Sequence, residues 1–331
     1  MKIFFRLVLF LMFIALVAGG YIYYQLARPY KSFGDTVFVD FPKGTSSDEM
    51  SEILAGKGVI ARPWQFLAAR ALSRGTTLQA GEYQFTKPAS TLDVFDRIAR
   101  GDIFYYSLVV PEGQNMFDIA ASVQKLGVFT AKDFLKAARD PKLIRDLDRT
   151  APSLEGYLFP DTYRLNRSTT APHLCRLMTG KFRDAWKDLD IHEDVHATVT
   201  LASLVEREAR LPSERPTIAS VFRNRLKIGM KLDCDPTTVY AALLEGRYRG
   251  TIYRSDLDSP NAYNTYRNAG LPPGPIANPG VGSLKAALNP ADTEILYFVA
   301  KGDGSGSHTF SGTLAAHEAA TAEYRRATKN K

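Results

Sequence analysis

One carboxylate stands where it could do acid chemistry. The stretch Val199-Thr-Leu-Ala-Ser-Leu-Val-Glu-Arg-Glu-Ala-Arg-Leu-Pro-Ser-Glu-Arg215 reads mostly as one helix, starting near His196 and stopping before Pro212. Val199, Ala202 and Val205 are spaced by three and line one side of it. Glu206 comes seven after Val199 and four after Ala202, on the border of that apolar stripe. Apolar surroundings disfavour the charged form of a carboxyl and strengthen its hold on a proton. A general acid working near neutral pH needs that property. Glu206 also stands four before Arg210, the favourable orientation of an ordinary surface pair. Glu208 lies in the same turn and is its rival for the acid role. The helix alone leaves these readings open.

Other stretches carry binding chemistry. Leu154-Glu-Gly-Tyr-Leu-Phe-Pro-Asp-Thr-Tyr-Arg164 packs three aromatics and two carboxylates into eleven residues. Aromatic faces stack on sugar rings and carboxylates accept from sugar hydroxyls; a strand and turn with a core face is the plainer alternative. The stretch 259–283 is a long loop stiffened by proline and glycine, a feature more often functional than idle. Within it, Tyr263, Asn264 and Tyr266 could line a groove. Asp235 reads as an N-cap ahead of Pro236, and Asp233 with Asp235 lacks a third metal ligand nearby. Cys175 and Cys234 show no zinc spacing; they are expected as two buried thiols, or as a disulfide in an oxidising compartment. His308 and His317 have no ligand partner and read as structural. No metal or cofactor is expected.

The elements that must position these groups are legible in outline. The 331 residues have room for two domains; they are 45% hydrophobic and 23% charged, with a net charge of +7. A basic balance suits nucleic acid, an anionic membrane surface or an acidic polymer, but the basic residues are dispersed and no nucleic-acid motif occurs, so nucleic acid is not expected as a partner. Leu7 to Tyr24 is an uncharged apolar run long enough to span a bilayer, preceded by Lys2 and Arg6 and closed by Tyr21, Tyr23 and Tyr24. The positive-inside rule puts the N-terminus in the cytoplasm and the body outside, although Arg28 and Lys31 weaken that asymmetry. A cleaved leader is the alternative, with Ala18-Gly19-Gly20 as small residues; the run is long for one. Residues 36–60 and 105–129 resemble each other: strand, Pro-x-Gly turn, amphipathic helix, glycine stop. Phe41-Pro-Lys-Gly44 aligns with Val110-Pro-Glu-Gly113, and Gly58 with Gly127. A helix over Glu214–Lys227, an apolar strand over Ile295–Ala300, a return strand at His308–Phe310 and a closing helix from Leu314 to Ala327 complete the outline.

The second half of the chain resembles the endolytic murein transglycosylases of the YceG-like family. The resemblance rests on Glu155-Gly-Tyr-Leu-Phe-Pro-Asp-Thr-Tyr163, Ala202-Ser-Leu-Val-Glu-Arg-Glu208, Val221-Phe-Arg-Asn-Arg-Leu226 and Asp235-Pro-Thr237. Further on come Tyr263-Asn-Thr-Tyr266, Gly270-Leu-Pro-Pro-Gly274, Ser283-Leu-Lys-Ala-Ala287, Tyr297-Phe-Val299 and His308-Thr-Phe310. It runs from about residue 35 to 327, and the order of the set carries it rather than any single motif. It implies an α+β protein with an N-terminal membrane span (residues 1–30), a LysM-like strand–helix module (31–150) and a mixed α/β catalytic domain (151–331). It implies Glu206 as the catalytic residue, with Glu155, Tyr157, Asp161, Arg225, Asp235, Tyr263, Asn264 and Tyr266 as groove residues. The reaction implied cleaves the β-1,4 bond between N-acetylmuramic acid and N-acetylglucosamine without water, leaving a 1,6-anhydro end. It also implies the bacterial cytoplasmic membrane as location, peptidoglycan strands as partner, and peptidoglycan synthases as neighbours. A hydrolase using Glu155 or Asp161 as second carboxylate, and a non-catalytic glycan-binding scaffold, are the alternatives.

Overall fold

The computed structural model describes residues 2–73, 75–189 and 193–329. These form a mixed α/β architecture of thirteen α-helices and three two-stranded sheets, divided into two compact units, Met1–Tyr106 and Ser107–Lys331.

Helix α1 (Lys2–Ala27) contains the uncharged run and is long and apolar enough to cross a membrane. Only its last turn is tied to the first unit. There Leu26 is buried and the Gln25 carbonyl accepts a bond from Gln65 Nε2 at 3.1 Å. Strand β1 (Val37–Phe41) leads to α2 (Ser47–Gly56) and α3 (Pro63–Leu72), and β2 (Gly81–Phe85) to α4 (Thr91–Arg100). β1 and β2 pair antiparallel, Val37 opposite Phe85 and Phe41 opposite Gly81. Alternation along the strands turns Val39, Phe41, Tyr83 and Phe85 onto one core with Leu54, Phe66, Val94 and Ile98. Capping boxes at Ser46/Glu49 and Ser90/Asp93 fix where α2 and α4 begin.

The second strand–helix copy is β3 (Tyr106–Val110) and α5 (Met116–Leu126), which belongs to the second unit from Ser107 onward. The copies share their backbone punctuation: the turn glycines Gly44 and Gly113 and the stop glycines Gly58 and Gly127 all have positive φ. Then come α6 (Ala131–Ala138), β4 (Asp161–Leu165), which pairs with β3, α7 (Ala171–Asp188) and α8 (Val195–Glu208). A 3₁₀ turn (Pro212–Glu214) enters α9 (Arg215–Lys227), followed by α10 (Asp235–Leu244), α11 (Arg254–Leu257) and α12 (Val281–Leu288). The antiparallel hairpin β5 (Tyr297–Ala300) and β6 (His308–Ser311) and helix α13 (Leu314–Lys329) close the chain.

Helix α8 is the hub of this unit. The sequence shows an apolar stripe, but every residue from Thr198 to Val205 is buried, because α9, α10 and α12 all pack on it. Its small residues allow close approach, and Ser203 bridges to the loop: its Oγ donates to the Thr200 carbonyl at 2.7 Å and accepts from the Ile276 N–H at 3.1 Å. Its start is fixed by the Asp194 cap and by His196, whose Nδ1 lies 2.7 Å from Asp148 Oδ2.

Gly156 shows how tightly the loop before β4 sits on this hub. Its φ is +88°, and a Cβ there would stand 2.4 Å from Pro275 Cγ and 2.9 Å from Val199 Cγ1. Strain and overlap act together, so Gly156→Ala is expected to destabilise the protein by more than about 2 kcal/mol. Thermal melts of the two proteins check this; an unchanged midpoint would show that the loop can shift.

Candidate active site

Glu206 projects from the last turn of α8 into a junction of three segments. Its side chain is 5% exposed. Oε1 accepts from Arg215 Nη2 at 3.1 Å and Oε2 from the Gly280 N–H at 3.0 Å. Gly280 caps α12, so the carboxylate sits at a helix N-terminus, where negative charge is favoured. The turn between β3 and α5 covers the other side: Gly113, φ +79°, lets Glu206 Cγ come within 3.5 Å of where a Cβ would be. Arg207 ties that turn to α8 by donating to the Gly113 carbonyl at 3.0 Å.

Two sequence expectations for Glu206 are corrected here. The surface pair with Arg210 does not form, because α8 ends at Glu208 and the helical i, i+4 geometry ends with it. The side chain is buried, but its immediate partners are a cation and a backbone donor rather than apolar surface. Glu208, two residues on, turns to another face. There its Oε1 accepts from the Cys234 thiol at 3.2 Å, and burial pushes its carboxyl up from the ordinary range. Cys175 and Cys234 are both free and buried, and burial pushes the Cys175 thiol up to about 12.

Asn278 holds the junction from behind, through both ends of its amide and both backbone groups. Oδ1 accepts from the Gly156 and Leu158 N–H groups at 2.8 and 2.9 Å. Nδ2 donates to the Gln114 carbonyl at 2.9 Å and to Glu155 Oε1 at 2.8 Å. Its own N–H donates to the Gln114 carbonyl and its carbonyl accepts from Gly113, each at 2.9 Å. Glu155 in turn accepts from the Met116 N–H, with Oε2 at 2.9 Å, beside the Tyr240 hydroxyl. These contacts fix the 113–116 backbone, and with it the turn beside Glu206.

The residues expected in a groove separate by exposure. Glu155, Tyr157 and Asn264 are fully enclosed. The Tyr157 hydroxyl donates to Asp148, and Asn264 Nδ2 braces the loop through the carbonyls of Leu257 and Ser259 at 2.9 and 2.7 Å. Arg225 is buried and spans carbonyls, with Nε to Leu296 at 2.6 Å and Nη1 to Leu232 at 2.9 Å. The polar groups of these four are taken up internally. Asp161, Tyr263 and Tyr266 are half-buried and Asp235 is exposed. Asp161 pairs with Lys181. Asp235 does not cap α10; Cys234 holds that position, and the aspartate, one residue inside, accepts from the Tyr266 hydroxyl at 2.7 Å. His308 bonds Glu214 through its N–H at 2.9 Å and its Nδ1 at 2.7 Å, and His317 stacks on Tyr297.

Two neighbouring cavities run away from Arg215. One, of about 540 Å³, has Arg215, Pro216, Gly282 and Lys285 in its wall; the next, of about 390 Å³, shares Asp188, Leu189 and Lys285 with it and adds Phe159, Asp161 and Lys181. A larger hollow of about 760 Å³ lies between α6 and α7 and does not include Glu206. Among the described residues no group of three or more His, Cys, Asp or Glu is placed to hold a metal ion. The sequence reading missed Glu112, Arg215, Asn278 and Gly280 as site residues. A signal for Glu112 was present: the aligned turns of the repeat differ there, lysine in one copy and glutamate in the other.

The chain is similar to known proteins over most of its length. The profile of the YceG-like family matches residues 39–323. A protein of Bacillus subtilis (strain 168) named endolytic murein transglycosylase is 33% identical over 93% of this chain and 91% of its own length. One of the same name from Streptococcus pneumoniae (strain ATCC BAA-255 / R6) is 31% identical over 88% of this chain, which spans 60% of that relative. A crystal structure of a yceG-like protein from Listeria monocytogenes matches with a TM-score of 0.55 at 33% identity, covering 87% of this chain and 99% of that one.

Glu155 gives a pH test of the clamp. Burial pushes its carboxyl from an ordinary value of 4.5 up to about 8, against the opposing pull of its hydrogen bonds. The folded state therefore holds a proton that the unfolded state loses first. This contribution is complete below about pH 4.5 and is lost as pH rises to about 8. Glu155→Gln cannot ionise, so it is expected to flatten that decline, by on the order of 3 kcal/mol across the window. Denaturant unfolding at several pH values reads the difference; parallel curves would contradict it.

Proposed function

Because the chain belongs to the YceG-like family, we propose that it is an endolytic murein transglycosylase, with Glu206 as the acid and base that cuts peptidoglycan strands. The observation that carries this reading is the placement of Glu206: a side chain 5% exposed, held by the Gly280 N–H and by Arg215, which itself lines a cavity of about 540 Å³. A scaffold that only holds glycan has no need of such a group.

In the proposed reaction Glu206 gives its proton to the oxygen of the β-1,4 bond between N-acetylmuramic acid and N-acetylglucosamine, and that bond breaks. The C6 hydroxyl of the muramic acid adds to its own C1 and passes its proton to the Glu206 carboxylate. A 1,6-anhydro ring closes, the acid is restored and no water is consumed. The nucleophile is tethered to the substrate, which supplies part of the rate. Arg215 and the N-terminus of α12 stabilise the carboxylate form that exists between the two proton transfers. Glu155 is enclosed and Asp161 is paired with Lys181, which argues against either as a second reacting carboxylate. A hydrolytic muramidase remains the second reading, favoured by one observation: Glu112 shares Arg215 with Glu206.

The accessible groove residues Asp161, Asp235, Tyr263 and Tyr266 are proposed to meet the glycan, with Glu155, Tyr157, Arg225 and Asn264 supporting them from behind. Helix α1 is proposed as a single anchor in the bacterial cytoplasmic membrane, N-terminus inside and body outside, beside peptidoglycan synthases. Residues 31–106 form the core of the proposed LysM-like module. The proposed catalytic domain is 151–331, and the turn that carries Glu112 bonds Arg215 within it.

The test uses the full chain in detergent with purified, uncrosslinked glycan strands, and products are read by mass spectrometry. Wild type is expected to give anhydro ends, one water lighter than hydrolysis products, and Glu206→Gln to lose at least about 100-fold in rate. Products of hydrolytic mass would favour the muramidase, and binding without cleavage the scaffold.

A further inference from the structure

Two cavities adjoin along α12, of about 540 and 390 Å³, and Asp188, Leu189 and Lys285 line both. In the wall of the larger one, α12 presents Gly282, Lys285, Ala286 and Asn289. Their spacing of three, one and three is one face of a helix. The start of this helix lies beside the acid. The Gly280 N–H donates to Glu206 Oε2, and Gly282 makes room for Arg215, whose Nη1 would stand 2.3 Å from a Cβ there. Lys285 comes three residues after Gly282, a rise of about 4.5 Å along the axis, the scale of one sugar ring.

Three cations line the two cavities, and two of them are engaged. Arg215 donates to Glu206 and Glu112, and Lys181 pairs with Asp161. Lys285 is exposed, and among the described residues its ammonium forms no ion pair or hydrogen bond. Asp184 and Asp188, one turn apart at the end of α7, stand in the same walls without pairing with it. A lysine in the last turn of α12 suits the dipole of that helix. The dipole does not account for two cavities meeting at this residue.

The proposed substrate supplies a matching anion. N-acetylmuramic acid differs from N-acetylglucosamine by a lactyl ether that ends in a carboxyl group. Every link in a strand of the two sugars is β-1,4, so a cut at C1 of the muramic residue requires that the two be told apart. The lactyl arm is what distinguishes them. Its charged end is its own carboxylate or, where a peptide is attached, a carboxylate of that peptide.

We propose that Lys285 is a specificity-determining residue: it binds a carboxylate on the lactyl arm of N-acetylmuramic acid and so sets which bond of the strand lies at Glu206. The proposal rests on the reading of the protein as a murein transglycosylase. Asp184 and Asp188 disfavour an anion elsewhere in these cavities, and with Arg215 and Lys181 engaged, the Lys285 ammonium is its favourable position. A charge-assisted bond of this kind holds substrate in the ground state and the transition state alike, so its loss falls on KM rather than on kcat.

The experiment uses the full chain in detergent and three uncrosslinked substrates: peptide-free strands with free lactyl carboxylates, the same strands with those carboxyls converted to neutral methylamides, and strands that keep their peptides. Values of kcat and KM are measured for wild type, K285Q, K285R and E206Q. Wild type is expected to show kcat/KM about tenfold lower on neutralised strands than on free-carboxylate strands. K285Q is expected to lose about tenfold on the free-carboxylate strands, mainly through KM, and to match wild type on the neutralised ones. K285R, which keeps the charge, should keep the preference. A loss by K285Q confined to peptide-free strands assigns the lactyl carboxylate to Lys285, and a loss on peptide-bearing strands assigns a carboxylate of the peptide. A K285Q that loses nothing on either charged substrate, or loses equally on the neutralised strands, would overturn the proposal. Cleavage by wild type and none by E206Q would then leave the enzyme reading standing. No cleavage by wild type removes that reading and the proposal with it. Circular dichroism checks each fold; should K285Q not fold, K285E replaces it, with a larger loss expected on charged strands and the same grounds for rejection.

Discussion

The amide of Asn278 is the constraint on which the rest of the site depends. One side chain satisfies two backbone donors near residue 157, a backbone carbonyl at 114 and a buried carboxyl at 155, and its own backbone adds two further bonds to the same turn. It joins segments more than a hundred residues apart in a place closed to water. Every donor and acceptor of the amide is used, so a truncation here leaves several buried groups unpaired at once, each at a cost of about 1–3 kcal/mol. Arg207, through the Gly113 carbonyl, and Glu155, through the Met116 N–H, brace the same turn. The placement of the turn against Glu206 is thus inherited in large part from Asn278.

Around that brace the charges are arranged as a group rather than as pairs. Arg215 stands between Glu206 and Glu112, and the N-terminus of α12 faces the same point. A lone buried carboxylate would be costly to ionise, and a carboxylate gripped by an undivided arginine would be slow to take a proton. Glu155 and Glu208 stand outside this group: among the described residues neither forms an ion pair, and burial pushes both carboxyls upward.

What the sequence made legible follows physical range. The extent of α8 was readable because helical spacing and the Pro212 break are local signals, and the β5–β6 hairpin because strand, glycine turn and strand are contiguous. Glu206 stood out through its position on that helix. Its partners did not, because Arg215, Glu112 and Gly280 approach it only through tertiary packing, nine, ninety-four and seventy-four residues away. Tertiary packing also overrode the amphipathic reading of α8, which is buried all round. Of the aromatic and polar motifs, composition marked where side chains converge, but whether they face a ligand or brace a loop depends on burial. Tyr157 and Asn264 brace, and Tyr266 reaches the surface.

The repeated strand, turn and helix places the same backbone in two settings. In the first copy the turn glycine Gly44 has open space about it and Lys43 is exposed; in the second, Gly113 lies against the acid and the aligned residue is Glu112. The turn conformation is set by proline and glycine, so the residue between them is free to vary without disturbing the fold. A duplicated segment of this kind carries a ready-made variable position, and a change of charge there turns an exposed bend into a partner of Arg215. The same bend can in this way serve two surroundings, since proline and glycine keep its shape in both.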